Sequence, residues 1–163
     1  MATPTDIERI TYGGPRGSLA LGLHRNVIQG VGATRTLLAG ESNSLCIFDR
    51  AAGVVYTLPA PVEGMQFEFR NTVAITASSG KVITSGAAIF ILGSVMIGSL
   101  TVDASGDVFQ ANGTTHVAIA SSGSTTGGLI GGSYTLTAIS STIWVVEGSL
   151  VGSGTVADPF ATS

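Results

Sequence analysis

The sequence predicts an all-β protein: an antiparallel β-sandwich or jelly-roll-like fold, with a β-barrel as the alternative, preceded by an extended N-terminal arm. Short β-rich segments recur about every ten residues and are separated by Gly, Ser, Asn and Pro. No segment of ten or more residues has a convincing 3.6-residue period, so at most one short helical turn is expected. The absence of a fixed-period repeat argues against a β-helix or a propeller.

Residues 1–36 are predicted to form the arm, and residues 37–163 a single β domain with a Gly-rich C-terminal tail. Gly and Pro interrupt the arm and disfavour a helix there. Leu19, Leu21 and Leu23 alternate with small residues, which suits a short strand laid on a surface. The arm is therefore expected to dock rather than to fold by itself.

The clearest strand in the body covers residues 65–70, where Met65, Phe67 and Phe69 alternate with polar residues. Asn112-Gly113 predicts a hairpin turn, and a last hairpin is expected around Ser140-Ser141. The remaining predicted strands cover residues 45–49, 54–58, 72–76, 81–84, 87–92, 94–97, 108–110, 115–120, 134–139 and 142–147.

Charge is distributed unevenly along the chain. All six arginines lie in the first 70 residues, and no Lys or Arg follows Lys81. Charged residues make up 10% of the sequence, against about a quarter in an average soluble protein. A body with so few charges must cover its surface with Ser, Thr and Gly or with a partner, so the composition favours a protein that works while bound to something.

Several classes of function are disfavoured by composition. The arm carries too few cations for a nucleic-acid-binding segment, which typically makes 6–10 phosphate contacts. The apolar stretch 86–100 is too short and too interrupted for a membrane span. No secretory signal is evident, which suggests synthesis in a reducing cytoplasm. The single cysteine, Cys46, lies among apolar residues and is expected to be buried, and with only two histidines the chain is not expected to bind zinc.

The candidates for catalysis are few. His116 could act as a general base with Asp103 or Asp107, but no nucleophile elbow accompanies it, and a histidine on the rim of a strand is the simpler interpretation. The segment 103–107 has only part of a calcium-loop pattern and is expected to be a turn. We therefore expect no catalytic residue, no cofactor and no metal site.

Trp144 is the only tryptophan in the sequence. It alternates with Ile143 and Val145 and so faces the opposite side of a predicted strand. Two roles are open, an anchor of the core or a contact at a subunit interface, because tryptophan is amphipathic and enriched at both.

Two segments carry a resemblance to a known family. Residues 48–69 contain an Asp-Arg-Ala-Ala-Gly turn that leads to a Thr-Leu-Pro strand end, and residues 125–160 contain a Gly-Gly turn, a strand pair ending in Trp-Val-Val-Glu-Gly and a Gly-Ser-Gly-Thr tail. Together they resemble the β-rich head decoration, or cement, proteins of tailed bacteriophages. The two segments cover a little over a third of the chain.

The resemblance implies a non-enzymatic structural virion protein on the outer capsid surface, made in the cytoplasm of the host bacterium. The implied partners are the major capsid protein, whose subunits it would bridge, and neighbouring decoration subunits, with a homotrimer or a dimer as the oligomer. A fibre or spike module that binds host surface glycans is the alternative. The residues expected to dock on the capsid are Arg9, Arg16, Leu19, Leu21, Leu23, Arg25 and Arg35.

Overall fold

The structure, a computed structural model, describes residues 25–76, 79–102 and 104–163. These residues form twelve strands and one turn of 3-10 helix, Ala39–Glu41. The strands are β1 Val27–Ile28, β2 Thr34–Thr36, β3 Ser44–Phe48, β4 Val55–Thr57, β5 Gln66–Asn71, β6 Gly80–Ile83, β7 Phe90–Ser99, β8 Asp107–Asn112, β9 Ala118–Ser121, β10 Ser133–Ala138, β11 Ile143–Gly152 and β12 Phe160–Ala161.

The strands form two sheets that pack face to face. The seven-stranded sheet has the order β1-β3-β5-β10-β11-β7-β8, and the five-stranded sheet has the order β12-β9-β6-β4-β2. The predicted β-sandwich is thus confirmed, and in the part of the chain that is described the sheets do not close into a barrel. Both sheets are mixed, with five parallel and five antiparallel strand pairings, whereas the sequence pattern predicted antiparallel sheets.

The parallel pairings arise mainly because the chain follows a spiral path through the first six strands. The chain passes alternately through the two sheets from β1 to β6, so that each strand lies beside the strand two earlier in the sequence and runs in the same direction. Val27 pairs with Leu45, 18 positions on, whereas Val55 pairs with Lys81, 26 positions on. Because successive circuits of this spiral differ in length, they leave no fixed period in the sequence.

The second half of the chain adds the other strands. β10 and β11 form the hairpin predicted around Ser140-Ser141, and β11 then runs parallel to β7 over ten residues. Asn112-Gly113 does form a turn, because the side-chain oxygen of Asn112 accepts hydrogen bonds from the N–H groups of Thr114 and Thr115. That turn leads from one sheet to the other, since β8 and β9 lie in different sheets, and so the predicted hairpin is not formed there.

The strand predicted at residues 72–76 is not present. The N–H groups of Thr72 and Val73 both donate to the carbonyl oxygen of Phe48, and that of Ile75 donates to Gly128, so the segment has no continuous partner strand. The side chain of Ile75 is nonetheless buried. The apolar character that suggested a strand therefore comes from a core-facing loop.

The core lies between the sheets and is rich in aromatic residues. Phe48, Tyr56, Phe69 and Tyr134 form one group, in which the rings of Phe69 and Tyr134 stack with centroids 5.4 Å apart. The Tyr56 hydroxyl donates to the carbonyl oxygen of Ile47 at 2.7 Å, which satisfies its polar end inside the core. This core holds the seven-stranded sheet so that its other face points outward.

Candidate functional site: the outer face of the seven-stranded sheet

Charge is divided between two halves of the seven-stranded sheet. In the half formed by β1, β3 and β5, Arg25, Glu68 and Arg70 lie on or beside the outer face. In the half formed by β10, β11, β7 and β8, Glu147 is the one ionisable group among the outward-facing residues of these fully described strands. The border follows the pairing of β5 with β10, where Arg70 lies opposite Ser133. The division of charge along the sequence is thus also a division in space.

The uncharged half presents a mixture of hydroxyl, amide and apolar side chains. Alternation along each strand places one set of residues in the core and the other set outside. The outward set is Ser133, Thr135 and Thr137 on β10; Ile143, Val145, Glu147, Ser149 and Val151 on β11; Phe90, Leu92, Ser94 and Met96 on β7; and Val108, Gln110 and Asn112 on β8.

Four of these residues form a contiguous apolar area, which we call the outer patch: Phe90, Leu92, Ile143 and Val145. Ile143 lies directly opposite Phe90, and Val145 directly opposite Leu92, on the parallel strands β11 and β7. All four side chains are half-buried, and none belongs to the buried core cluster or packs against it. The outer patch is therefore apolar surface that the described part of the chain leaves partly open to solvent.

In the charged half of the sheet, the charged side chains Arg25, Glu68 and Arg70 form ion pairs with one another. The Glu68 carboxylate accepts hydrogen bonds from the guanidinium groups of Arg25 and Arg70, the second at 2.7 Å. The Arg25 bond is the main reason that the pKa of Glu68 lies below its usual range. Arg25 also donates from Nε to the carbonyl oxygen of Asn43 at 3.0 Å. These contacts fasten the start of β1 to β3 and β5.

The structure shows how the described part of the predicted arm is used. Residues 25–36 contain β1 and β2, which belong to the two sheets, so this part of the arm is integrated with the body. Arg25 pairs with Glu68, and Arg35 pairs with Glu41 in the 3-10 turn. Their guanidinium groups thus already have acidic partners within the chain. Five further residues predicted to dock lie outside the described residues: Arg9, Arg16, Leu19, Leu21 and Leu23.

Trp144 is fully buried and lies in the core beside Phe67, with ring centroids 6.0 Å apart. Because the single chain already buries the whole side chain, the ring has no surface to offer to another subunit. Of the two roles left open by the sequence, the structure gives Trp144 that of a core anchor. Its indole N–H has no hydrogen-bond partner among the described residues.

The side chains of His116 and Cys46 are engaged in packing and hydrogen bonding within the fold. Nδ1 of His116 accepts a hydrogen bond from the N–H of Asn112 at 3.2 Å, and its ring stacks on Phe160 with centroids 5.7 Å apart. Asp107, one of the proposed catalytic partners, accepts from the N–H of Val108. Cys46 is buried, and desolvation, followed by the Glu41 carboxylate, raises the pKa of its thiol to about 12. A thiol with so high a pKa is a poor nucleophile at neutral pH.

Among the described residues, no group of three His, Cys, Asp or Glu side chains is close enough to hold a metal ion. In the same ranges, no helix has the length and hydropathy that crossing a membrane would need. Comparison of the chain with protein-family models, with curated proteins and with solved structures finds no match.

Proposed function

We propose that this chain is a non-enzymatic structural virion protein that binds the outside of a phage capsid and stabilises it by bridging subunits of the major capsid protein. The observation that carries the proposal is the low charge of one half of the outer face: on β10, β11, β7 and β8 the outward apolar and hydroxyl side chains surround one carboxylate and no cation, which favours a chain that works in contact with neighbouring subunits. A protein partner can cover such a face with little loss of ion hydration. The resemblance of residues 48–69 and 125–160 to head decoration proteins supports a capsid as the setting.

The arm is proposed to make the first contact with the capsid. Since Arg25 and Arg35 are paired within the chain, we assign docking to the segment before them, with Arg9 and Arg16 orienting it and Leu19 and its two alternating leucines binding. Exposed ion pairs contribute about 0–1 kcal/mol each, so the leucines must supply most of the binding free energy. A dimer or trimer would strengthen binding further, because several arms on one particle act at high effective concentration.

The glycan-binding alternative finds less support in the structure. Stacking on a sugar requires an exposed aromatic ring. Of the nine described aromatic residues, seven are buried and the other two, Phe90 and Phe109, are half-buried. In the described ranges there is therefore no open aromatic platform of the kind that a sugar-binding site uses.

Co-sedimentation of the full-length protein with purified capsids that lack it would test the proposal. We expect saturable binding and capsids that withstand a higher temperature. Replacing Leu19, Leu21 and Leu23 together by Ser is expected to reduce capsid affinity by on the order of 10-fold or more, given about 0.8 kcal/mol for each buried methylene. Leu38→Ser is the matched control, since Leu38 is exposed on the 3-10 side of the body.

The substituted arm is a better test than removal of residues 1–36, because that deletion would also remove β1 and β2 from the sheets. Circular dichroism checks that each variant is folded. A full-length protein that does not bind capsids at micromolar concentrations would contradict the proposed function, and equal binding by the triple Ser variant would contradict the role of the arm.

A further inference from the structure

The outer patch lies on a face whose area reaches the lower bound for a specific protein contact. The four strands of the uncharged half contain 10, 10, 6 and 6 residues. At about 3.3 Å per residue and 4.8 Å between strands, they cover a projected area of roughly 500 Å². Two copies that cover this face on each other would bury about 1,000 Å² in total, which is the lower bound for a specific interface.

The chemistry of the face fits a second copy of the same chain. The chain has no Lys or Arg after Lys81, so this half of the sheet has no cation that could attract an acidic partner. Two copies present the same twist, and identically twisted sheets pack face to face at about −30°. When the two-fold axis runs along the strands, between Leu92 on β7 and Val145 on β11, β11 of one copy lies over β7 of the other, and the two Glu147 carboxylates lie on opposite sides of the axis and do not oppose each other.

The free edge of this half is less suited to association than its face. β8 is the last strand of the sheet, and its unpaired N–H groups would normally invite another strand. The N–H of Val108 is bonded to the Asp107 carboxylate at 2.7 Å, and the N–H of Asn112 is bonded to Nδ1 of His116 at 3.2 Å. Two of the outward N–H groups are thus satisfied within the chain, which weakens the edge as a template for a strand.

We propose that the protein forms a two-fold symmetric dimer in which the outer patches of two copies pack against each other. The contact is isologous, with Phe90, Leu92, Ile143 and Val145 of one copy covering the same residues of its partner. Such a contact closes at two subunits, so it selects the dimer over the trimer that was also expected. The inference goes beyond capsid binding and does not depend on it.

Sedimentation equilibrium of the full chain at 1–200 µM would test the dimer. We expect the wild type to be dimeric and Leu92→Lys and Val145→Lys to be monomeric, with a dissociation constant raised on the order of 100-fold, because each variant brings two cations together in an apolar contact. Leu38→Lys introduces the same charge at an exposed leucine away from the patch and should remain a dimer. Thermal melts identify any variant that fails to fold.

A cysteine cross-link gives a second measurement that does not require disruption of the contact. Val145→Cys lies near the proposed axis and should be linked to its partner by a bismaleimide with a spacer of about 10 Å, because packed sheets are about 10 Å apart, whereas Leu38→Cys should not be linked. The native Cys46 is buried and will not interfere. Cross-linking at position 145 supports the proposal, and its absence in a folded variant contradicts it.

Other occupants of the patch would give different outcomes. A wild-type protein that is monomeric at 200 µM overturns the dimer, as does a trimer that Leu92→Lys leaves intact. If removal of residues 1–24 turns a monomer into a dimer, that segment covers the patch in the full chain, and the proposal is wrong. If a monomeric wild type loses capsid binding on Leu92→Lys, the capsid is the occupant, and capsid binding stands while the dimer does not.

Discussion

At the scale of single residues, Trp144 combines two opposing contributions to stability. Its ring fills the core beside Phe67, which stabilises the fold, whereas its indole N–H is buried without a hydrogen-bond partner among the described residues. Loss of the whole ring in a core typically reduces the free energy of unfolding by 3–5 kcal/mol, and an unsatisfied buried donor costs about 1–3 kcal/mol. The two contributions can be separated by substitution.

We predict that Trp144→Ala lowers the free energy of unfolding by about 3–5 kcal/mol, whereas Trp144→Phe lowers it by about 1.5 kcal/mol or less. Phenylalanine retains most of the apolar contact with Phe67 and removes the unpaired N–H. Urea unfolding, followed by far-ultraviolet circular dichroism, measures both changes. Similar losses in the two variants would mean that the indole N–H makes a stabilising bond after all.

At the scale of the elements, the strength of the periodic pattern decided which strands could be predicted. β5 was predictable because Phe67 and Phe69 alternate with polar residues, and the β10–β11 hairpin because of its Ser-Ser turn. β1, β2 and β12 have two or three residues each, which is too short for any period to show. Their place in the sheets is fixed by pairing with strands distant in the sequence. The spiral path of β1 to β6 could not be predicted either, since its successive circuits are unequal in length and leave no repeat in the sequence.

The candidate site was predictable only in part. The change in charge after Lys81 is visible in the sequence and corresponds to the uncharged half of the sheet. The outer patch is not visible, because Phe90 and Leu92 are about fifty positions from Ile143 and Val145 and meet only through the parallel pairing of β7 with β11. The alternation of Trp144 with its neighbours showed that they face opposite sides, but not which side is the core.

The two glycines within β7 should respond differently to substitution. Gly93 has a φ of 116°, which L side chains rarely adopt, and a Cβ there would overlap the carbonyl oxygen of Val146 on β11. A Cβ at Gly98 would meet no atom within 4 Å. We therefore predict that Gly93→Ala lowers the melting temperature by about 5 °C or more, through about 2 kcal/mol or more of strain and lost pairing, whereas Gly98→Ala leaves it nearly unchanged.

Differential scanning calorimetry of the two variants tests this prediction within a single strand. Because the outer patch requires β7 and β11 to be in register, Gly93→Ala should also weaken the proposed dimer, while Gly98→Ala should not. A variant Gly93→Ala as stable as the wild type would show that β7 can adopt a different path beside Val146.

The ion pairs of Glu68 are expected to contribute to the attachment of β1, together with its backbone pairing to β3. The pKa of the Glu68 carboxyl is lower in the folded state than in the unfolded chain. Its ion pairs therefore stabilise the fold fully at a pH above the unfolded-state pKa, and this stabilisation is lost as the pH falls through the folded-state pKa. Glu68→Gln should therefore loosen β1 at neutral pH, by about 1 kcal/mol or less because Arg25 and Arg70 are partly exposed, and should have little effect in acid.

Hydrogen exchange at the Leu45 amide reports on this contact, because that N–H donates to the carbonyl oxygen of Asn26 just before β1. We expect Glu68→Gln to speed this exchange at pH 7 and to match the wild type below the acidic transition. Glu147→Gln, which alters an exposed carboxylate on β11, is the control and should not change it. Unchanged exchange in Glu68→Gln would show that backbone pairing alone holds β1.

At the scale of the whole molecule, charged and uncharged surfaces are separated, and so two kinds of contact are available. All lysines and arginines in the described part of the chain lie in β6 or before it: Arg25, Arg35, Arg50, Arg70 and Lys81. The proposed dimer uses the uncharged half, and the proposed capsid contact uses the arginine-bearing segment before β1. Surface charge interactions are screened within about 10 Å at 0.1 M salt, whereas apolar burial is not weakened by salt.

The two contacts should therefore differ in their response to salt. Between 50 and 500 mM NaCl, the dimer dissociation constant is expected to change by less than about threefold, because the contact contains no cation–carboxylate pairs. Capsid binding by the arm should weaken over the same range, since Arg9 and Arg16 contribute to its orientation and encounter. Sedimentation equilibrium and co-sedimentation at matched salt concentrations measure the two responses. A dimer that weakens tenfold or more in salt would place its interface in the charged half of the sheet, with Glu68 and Arg70, and away from the outer patch.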